Sequence, residues 1–282
     1  MTTIATLALA ALSQCSTIPN HGPQIGAPTP AMLDTNDQVD FNKKFGSTAS
    51  VAVTDLAAAP IVRVGDTRSP YAWSTSKVLI VTTLVKDLGG SSKLTATQRS
   101  QVTSAFTVSD NAAAAALFNS LAQRKGGLVP ASAAMTQVLR TGGDTQTVVS
   151  TQGRSTFSTY GQTLWSVENQ AQFMSSLARS CLLDATSTSY VITQLSNTTS
   201  SQRFGLGTVG AAVFKGGWGP DPDGKYLVRQ MGLLKTSSGY RAAVAITARP
   251  PDGTYASGQV LLSQVASWLK ANIGPAPAPR NC

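Results

Sequence analysis

The spacing of hydrophobic residues changes twice along the chain, from the two-residue period of strands to the 3.6-residue period of helices and back again. An amphipathic segment lies around residues 32–45, and two short strands are predicted over residues 49–55 and 60–65. Three further strands are predicted late in the chain, with Ser237-Ser238-Gly239 as the turn between the last two. These strands cover residues 211–215, 226–234 and 240–248.

Apolar residues recur at helical spacing between the two groups of strands, from about residue 74 to residue 195. Two strands that must pair with three others across a helical insertion of about 140 residues imply an α+β fold. We therefore expect a five-stranded antiparallel sheet flanked by helices, with an all-helical subdomain inserted after the second strand. The predicted helices cover residues 74–88, 111–122, 132–139, 166–183 and 258–273.

Both ends of the chain differ from its body. Residues 1–15 form a short apolar run that ends at Cys15 but lacks the basic start of a secretory signal. Two interpretations stay open, a plain secretory signal and a lipoprotein signal with Cys15 as the lipidated residue, although Gln14 is unusual before such a cysteine. The expected organisation is a Pro/Gly-rich tether over residues 16–30, a domain over 31–273 with sheet parts 31–73 and 200–273 and a helical part 74–199, and a Pro-rich tail over 274–282.

Composition narrows the class of protein. Hydrophobic residues make up 42% and charged residues 12% of the chain, which suits a sizeable core and an exported protein of a GC-rich bacterium with a weakly charged surface. The net charge is +9, but basic residues such as Arg63, Arg154 and Arg229 are scattered. We therefore expect anionic envelope polymers rather than nucleic acid as partners. Contact with a membrane is expected only through the signal or a lipid anchor.

The cysteines and the single histidine predict a disulfide and argue against a metal site. If Cys15 is removed or lipidated, Cys181 and Cys282 are left, and an exported protein can pair them in a disulfide that ties down the tail. No two cysteines stand at metal-ligand spacing, and the only histidine is His21, in the tether. Neither a metal site nor another cofactor is expected.

A lysine is the common base left for a serine nucleophile, because a single histidine outside the predicted domain makes a Ser-His-Asp triad untenable. Ser74 and Lys77 open the first helix three residues apart, so their side chains lie on one face and can touch. The positive end of the helix and apolar neighbours lower the pKa of Lys77. The alternative is a capping serine followed by an exposed lysine.

Two later segments carry further polar groups. Ser109-Asp110-Asn111 precedes an alanine-rich helix, where Ser109 can pass on a proton, Asn111 can hold an amide, and Asp110 caps the helix. Lys215-Gly216-Gly217-Trp218 ends a predicted strand, where a cation and glycines favour close binding of an anionic ligand. The alternatives are a capping motif and a basic strand end with a flexible loop.

The three motifs, in this order and in these elements, resemble the signature of class A β-lactamases and penicillin-binding proteins. The resemblance covers about residues 32–273. The stretch Gln202-Arg203-Phe204-Gly205, followed by the Lys215 motif, is also similar to alanine-rich mycobacterial lipoproteins with a β-lactamase-like fold.

This resemblance implies an acyl-enzyme on Ser74, with Lys77 accepting the proton of Ser74 and Ser109 passing a proton to the leaving nitrogen. The oxyanion would lie between the backbone N–H groups of Ser74 and Trp218. The implied ligands are a peptidoglycan peptide or a β-lactam-like molecule. The substrate-binding residues that the resemblance implies are Asn111, Lys215, Gly217 and Trp218.

The chain departs from the β-lactamase pattern where the acyl-enzyme would be hydrolysed. Residues 112–167 contain no glutamate and one carboxylate, Asp144, while Glu168 falls in the next helix. Gly216 replaces a hydroxyl residue, and Trp218 is expected to crowd the same position. The sequence therefore leaves open a penicillin-interactive, DD-peptidase-like serine hydrolase with slow or no deacylation, a non-catalytic protein that binds cell-wall components, and a competent β-lactamase or unrelated esterase.

Overall fold

A computed structural model describes residues 32–210 and 212–282. Cys15, its possible lipidation, the signal over residues 1–15 and the tether over residues 16–30 lie outside the described residues. His21 lies outside them too. Within the described part, none of the helices is both long and apolar enough to cross a membrane.

The sheet has five strands in the spatial order β2-β1-β5-β4-β3, and every neighbouring pair is antiparallel. This confirms the predicted fold class. The chain enters through the strands at one edge and returns at the opposite edge, so the intervening segment crosses from one edge of the sheet to the other. The strands are β1 (Ala49–Thr54), β2 (Val62–Gly65), β3 (Val213–Pro220), β4 (Tyr226–Lys235) and β5 (Arg241–Ala248).

Helices bury both faces of the sheet, because successive side chains of a strand point to opposite sides. Val51, Val244 and Ile246 pack with the first and last helices in one core, whereas Ala52 and Ala245 belong to a second core with the remaining helices. The helices are α1 (Thr35–Phe45), α2 (Ser76–Leu88), α3 (Ala96–Thr107), α4 (Asn111–Lys125), α5 (Leu128–Thr141), α6 (Val167–Ala178), α7 (Ala185–Leu195) and α8 (Tyr255–Asn272).

The helical part differs from the prediction mainly at its boundaries. The helix predicted over residues 166–183 ends at Ala178, and Ser180 then takes a φ of 61°, which a continuing helix does not allow. Cys181 therefore lies in a turn after α6 and not late in a helix. The separate helices α3 and α7 were not delimited from the sequence, and α3 shows why: of its twelve residues only three are buried.

The Pro-rich tail packs along the domain. Ala276 is buried and its N–H donates to the Thr236 hydroxyl at 3.1 Å, while the N–H of Arg280 donates to the Leu56 carbonyl at 2.8 Å. A disulfide joins Cys181 and Cys282, whose Cα atoms are 5.2 Å apart. The pairing expected from the sequence is thus present, and it holds the tail beside the end of α6.

Candidate active site

The turn that precedes α2 leaves one hydroxyl free to react. The Thr75 hydroxyl donates to the Ala72 carbonyl and accepts from Gln170 Nε2 at 2.7 Å. The Ser76 hydroxyl donates to the Trp73 carbonyl at 2.6 Å. Ser74 Oγ has no hydrogen bond within residues 32–210 and 212–282, and Ser74 lines a cavity. Local bonding therefore distinguishes Ser74 from its two hydroxyl neighbours.

The backbone of this turn is strained at the residue before Ser74. Trp73 has a φ of 48°, a conformation that is rare for a bulky side chain. The turn Trp73–Thr75 is a 3₁₀ turn, and α2 begins only at Ser76. Ser74 thus precedes the α-helix, where the sequence had placed it inside the first helical turn. Strained backbone of this kind is often found at reactive positions.

Arg229 anchors the segment that leads into the turn. Its guanidinium donates to the carbonyls of Pro70 at 3.0 Å, Tyr71 at 2.9 Å and Trp165 at 2.9 Å. Arg229 is completely buried, so it is not one of the scattered cations that an anionic polymer could contact. Because its planar guanidinium spans several acceptors at once, this single side chain joins the segment that leads into Ser74 to the backbone at Trp165.

Two lysines converge on Ser109. Lys77 Nζ donates to Asn111 Oδ1 at 2.8 Å and to Ser109 Oγ at 3.2 Å, and it also contacts the Ser109 carbonyl. Lys215 Nζ donates to Ser109 Oγ at 2.8 Å and to the Gly216 carbonyl at 3.0 Å. Ser109 has a φ of 59°, and this turn brings both its carbonyl and its hydroxyl to the lysines.

The contact expected between Ser74 and Lys77 is not formed: no hydrogen bond joins them among the described residues. Lys77 lies on the face that sequence spacing predicted, but Ser74 lies in the 3₁₀ turn, and Ser109 with Asn111 takes up the ammonium group. Both residues nevertheless line the same cavity, together with Ser109 and Asn111.

Burial changes the protonation of both lysines. Desolvation lowers the pKa of Lys77 to about 8, although the nearby charge of Asp110 opposes the shift. Asp110 also caps α4, since its side chain accepts from the Ala113 N–H at 2.9 Å. Complete burial, and then the charge of Lys77, lower the pKa of Lys215 well below its usual value. A neutral Lys77 is therefore accessible just above neutral pH.

Strand β3 passes directly beside the nucleophile turn. A Cβ atom at Gly217 would lie 2.9 Å from Ser74 N and 3.0 Å from the Ala72 oxygen, so only glycine fits. The next residue, Trp218, stacks on Tyr255 of α8 with ring centroids 5.3 Å apart. Its ring lies on the same sheet face as Gly216, and Trp218 Cζ3 comes 3.6 Å from a Cβ atom placed there, in line with the expected crowding. Trp218 also borders the cavity.

The cavity has a volume of about 510 Å³. Among the described residues that line it, none carries a carboxylate, and Lys215 lies behind Ser109 outside the lining. Glu168 pairs with Arg63 at 2.5 Å, and Asp144 accepts the N–H of Gln146 and Thr147 within its own loop. The lining residues are Trp73, Ser74, Lys77, Val108, Ser109, Asn111, Ala115, Thr156, Phe157, Ser158, Tyr160, Gly161, Trp218, Gly219, Pro220 and Tyr226.

Several residues that shape the site leave little signal in the sequence. A charged Arg229 within the mostly apolar strand β4 was the one signal available for the anchor. Gln170, which is buried and holds Thr75, gave none. Phe157 and Tyr160 lie in a stretch without helical or strand periodicity, so nothing in the pattern placed them at the cavity. Within the described ranges, no group of three or more histidine, cysteine or acidic residues could hold a metal ion.

The sheet order, the inserted helices and the residues around Ser74 define a protein of the serine β-lactamase-fold superfamily. The sequence profile of the β-lactamase enzyme family matches residues 89–272, and the chain belongs to this family. The matched range includes Ser109, Asn111 and Lys215 and begins after Ser74 and Lys77. A search of curated protein sequences finds no match.

Solved structures of class A β-lactamases are similar in fold. TLA-1 extended-spectrum β-lactamase superposes with a TM-score of 0.67 at 12% identity, over 84% of this chain and 96% of that chain. The chromosome-encoded β-lactamase of Vibrio parahaemolyticus gives 0.60 at 17% identity, over 82% and 95%. A class A β-lactamase from Mycobacterium abscessus gives 0.61 at 15% identity, over 83% and 96%. At these identities the similarity shows the fold alone.

Proposed function

We propose that this protein is a penicillin-interactive, DD-peptidase-like serine hydrolase that forms an acyl-enzyme on Ser74 and releases it slowly. One observation carries the proposal. Ser74 presents the only hydroxyl of its turn that is not used in a structural hydrogen bond within the described residues, and it shares a cavity with Lys77, Ser109 and Asn111.

Acylation follows from the groups at the cavity. The oxygen of Ser74 bonds to the substrate carbonyl carbon, and the neutral amine of Lys77 takes the hydroxyl proton. The negative oxygen that develops is stabilised by the backbone N–H groups of Ser74 and Trp218, which Gly217 allows to approach each other. The bond from the carbonyl carbon to the leaving nitrogen then breaks, and that nitrogen receives a proton from Ser109.

Ser109 is suited to this donation. A hydroxyl has two acceptor lone pairs and one donor hydrogen, and Nζ–H groups of Lys77 and Lys215 occupy both lone pairs. The O–H bond of Ser109 therefore points away from the lysines. Once the proton is transferred, Lys77, which carries the proton taken from Ser74, can return it to the Ser109 oxygen.

Deacylation is the slow step in this proposal. Hydrolysis of an acyl-enzyme needs a base that activates water, and the described cavity lining offers no carboxylate. Glu168 and Asp144 are engaged elsewhere. We accordingly expect the Ser74 ester to persist after the leaving group has departed.

The ligands proposed are a peptidoglycan peptide or a β-lactam, because Lys77, which is still mainly protonated at neutral pH, favours an anionic substrate beside Ser109. The similar solved structures are β-lactamases, which also supports a β-lactam as a ligand. The apolar N-terminal run and the disulfide between Cys181 and Cys282 support export to the cell envelope, with a lipid anchor at Cys15 as one way of retention. Anionic envelope polymers fit the net charge of +9.

A second function, non-catalytic binding of cell-wall components, is favoured by one specific observation. The ammonium of Lys77 is held by Ser109 and Asn111, and no hydrogen bond within the described residues brings it to Ser74. A protein that only binds needs no such contact. In this alternative, the same cavity holds a peptide without forming a covalent bond.

A fluorescent penicillin separates the two functions. We expect a covalent band after denaturing electrophoresis with the wild type, and none with Ser74→Ala. Ser92→Ala, which alters an exposed serine away from the cavity, is the matched control and should label normally. After excess unlabelled probe is added, the band should persist for hours. A wild type that binds the probe reversibly but never forms the band would establish the binding function instead.

A further inference from the structure

Aromatic side chains are concentrated in the cavity. Five of its sixteen lining residues are aromatic, nearly a third, whereas aromatic residues make up 6% of the chain. Such enrichment is not needed to hold a small acyl group beside Ser74. These five residues, which we call the aromatic wall, are Trp73, Phe157, Tyr160, Trp218 and Tyr226.

Two rings of the aromatic wall, those of Phe157 and Trp73, are held in place before any ligand binds. Phe157 packs edge to face on Trp73, with ring centroids 4.8 Å apart and planes at 88°. Arg154 lies 5.2 Å from the Phe157 centroid and 5.8 Å from that of Trp73, and its Nε donates to Gln162 at 3.1 Å. It also donates to the Pro220 carbonyl. Preorganised rings lose little conformational entropy when a ligand binds.

The reactive groups and the aromatic wall occupy one cavity, so a single ligand can contact both. A volume of about 510 Å³ accepts a molecule well beyond a small acyl group. Phe157 is half-buried, and the residues beside it, Thr156 and Ser158, are exposed. Part of the Phe157 ring is therefore left for a ligand to cover. Aromatic rings pair preferentially with other rings in offset or edge-to-face arrangements.

We propose that the aromatic wall is an aryl-binding subsite, so that the ligands favoured by this protein carry an aromatic ring on the acyl side of the carbonyl that faces Ser74. This inference rests on the proposed function in one respect, because the proposed function places the carbonyl of the ligand opposite Ser74. Binding of the aromatic ring can be measured without acylation.

The test uses two β-lactams that share a bicyclic core and a carboxylate. Benzylpenicillin carries a phenylacetyl group, and 6-aminopenicillanic acid lacks it. Both are titrated against Ser74→Ala, which cannot be acylated, by isothermal titration calorimetry. Benzylpenicillin should bind at least tenfold more tightly, which is the order expected from burying one phenyl ring.

Variants then locate the subsite. In the Ser74→Ala background, Phe157→Ala should weaken benzylpenicillin about tenfold and leave 6-aminopenicillanic acid unchanged, whereas Phe157→Tyr should keep the preference. Tyr240→Ala is the matched control, because Tyr240 is 46% exposed and lies outside the cavity. Circular dichroism of each variant checks that a lost preference does not reflect a lost fold.

Affinity and labelling test the subsite and the proposed function separately. Equal affinities for the two β-lactams, or no measurable binding of benzylpenicillin, would overturn the subsite even if the wild type is labelled on Ser74. A preference for benzylpenicillin in Ser74→Ala, together with a wild type that is never labelled, would support the subsite and overturn the acyl-enzyme.

Discussion

Lys215 Nζ lies 2.8 Å from the hydroxyl oxygen of Ser109, a residue 106 positions earlier in the chain. Lys215 is completely buried behind this hydroxyl and does not line the cavity. A ligand in the cavity therefore meets the Ser109 hydroxyl before it can reach Lys215. This placement gives Lys215 a part in orienting Ser109 besides the carboxylate binding that the sequence implied.

The pH dependence of labelling should report the protonation of Lys77. Burial lowers the pKa of Lys77 to about 8, and only the neutral amine, which dominates above that pH, can accept the Ser74 proton. The rate of acylation should therefore rise as the pH increases through about 8 and level off above it. Initial rates with a fluorescent penicillin from pH 6 to pH 10 measure this profile.

Lys77→Met serves as the comparison for this profile. It removes the base, so labelling should fall by about 100-fold or more and lose its rise with pH. A wild-type rate that stays constant across the range would show that Lys77 is not the proton acceptor.

Two adjacent glycines should respond differently to the same substitution. A Cβ atom at Gly216 comes no closer than 3.6 Å to another side chain, an ordinary contact, so Gly216→Ser should change the free energy of unfolding by less than about 1 kcal/mol. Gly217→Ser would place its Cβ 2.9 Å from Ser74 N and displace the nucleophile turn. A displacement of the reacting group by about 1 Å can reduce the rate of acylation about 100-fold.

The labelling rate and urea unfolding of both glycine variants test this difference. Gly216→Ser should still label, and Gly217→Ser should label at least tenfold more slowly than the wild type. Similar labelling by both variants would contradict the close approach of β3 to Ser74.

Removal of the Arg229 fork should destabilise the protein. Arg229→Met removes the guanidinium donors from the carbonyls of Tyr71 and Trp165, whereas the Pro70 carbonyl keeps the Trp165 N–H at 2.9 Å. We expect a loss of about 3 kcal/mol in the free energy of unfolding, because unpaired buried acceptors are costly. Urea unfolding measures it, with Lys235→Met at the exposed end of β4 as the control.

Arg229→Lys is a milder change, since it keeps the charge but cannot span the same acceptors. Its stability should lie between those of the wild type and Arg229→Met. A loss below about 1 kcal/mol in Arg229→Met would show that the carbonyls find other donors.

The disulfide should contribute measurably to stability. Cys181 and Cys282 are 101 residues apart, and a bridge over so long a segment restricts the unfolded chain strongly. Cys282→Ser should lower the free energy of unfolding by about 3 kcal/mol under non-reducing conditions. Dithiothreitol should destabilise the wild type to the same extent and leave Cys282→Ser unchanged; an effect on both proteins would assign the change to something other than the bridge.

The sheet and most helices could be predicted because each leaves a period in the sequence, of two residues for strands and 3.6 for helices. Spacing likewise placed Lys77 on the face toward the cavity. It could not show that Ser74 lies in a 3₁₀ turn, because that depends on the strained backbone at Trp73. The partners of Arg229 are backbone carbonyls of distant segments, and a carbonyl leaves no signature in the sequence.

The bridge between Cys181 and Cys282 also constrains the order of events during synthesis. Three strands, β3, β4 and β5, and two helices, α7 and α8, are encoded between the two cysteines, so all five must be translated before the second thiol exists. A chain terminated anywhere earlier keeps Cys181 as a free thiol in a turn beside α6. In an oxidising compartment, that thiol is open to mixed disulfides, which distinguish truncated products from chains that include Cys282.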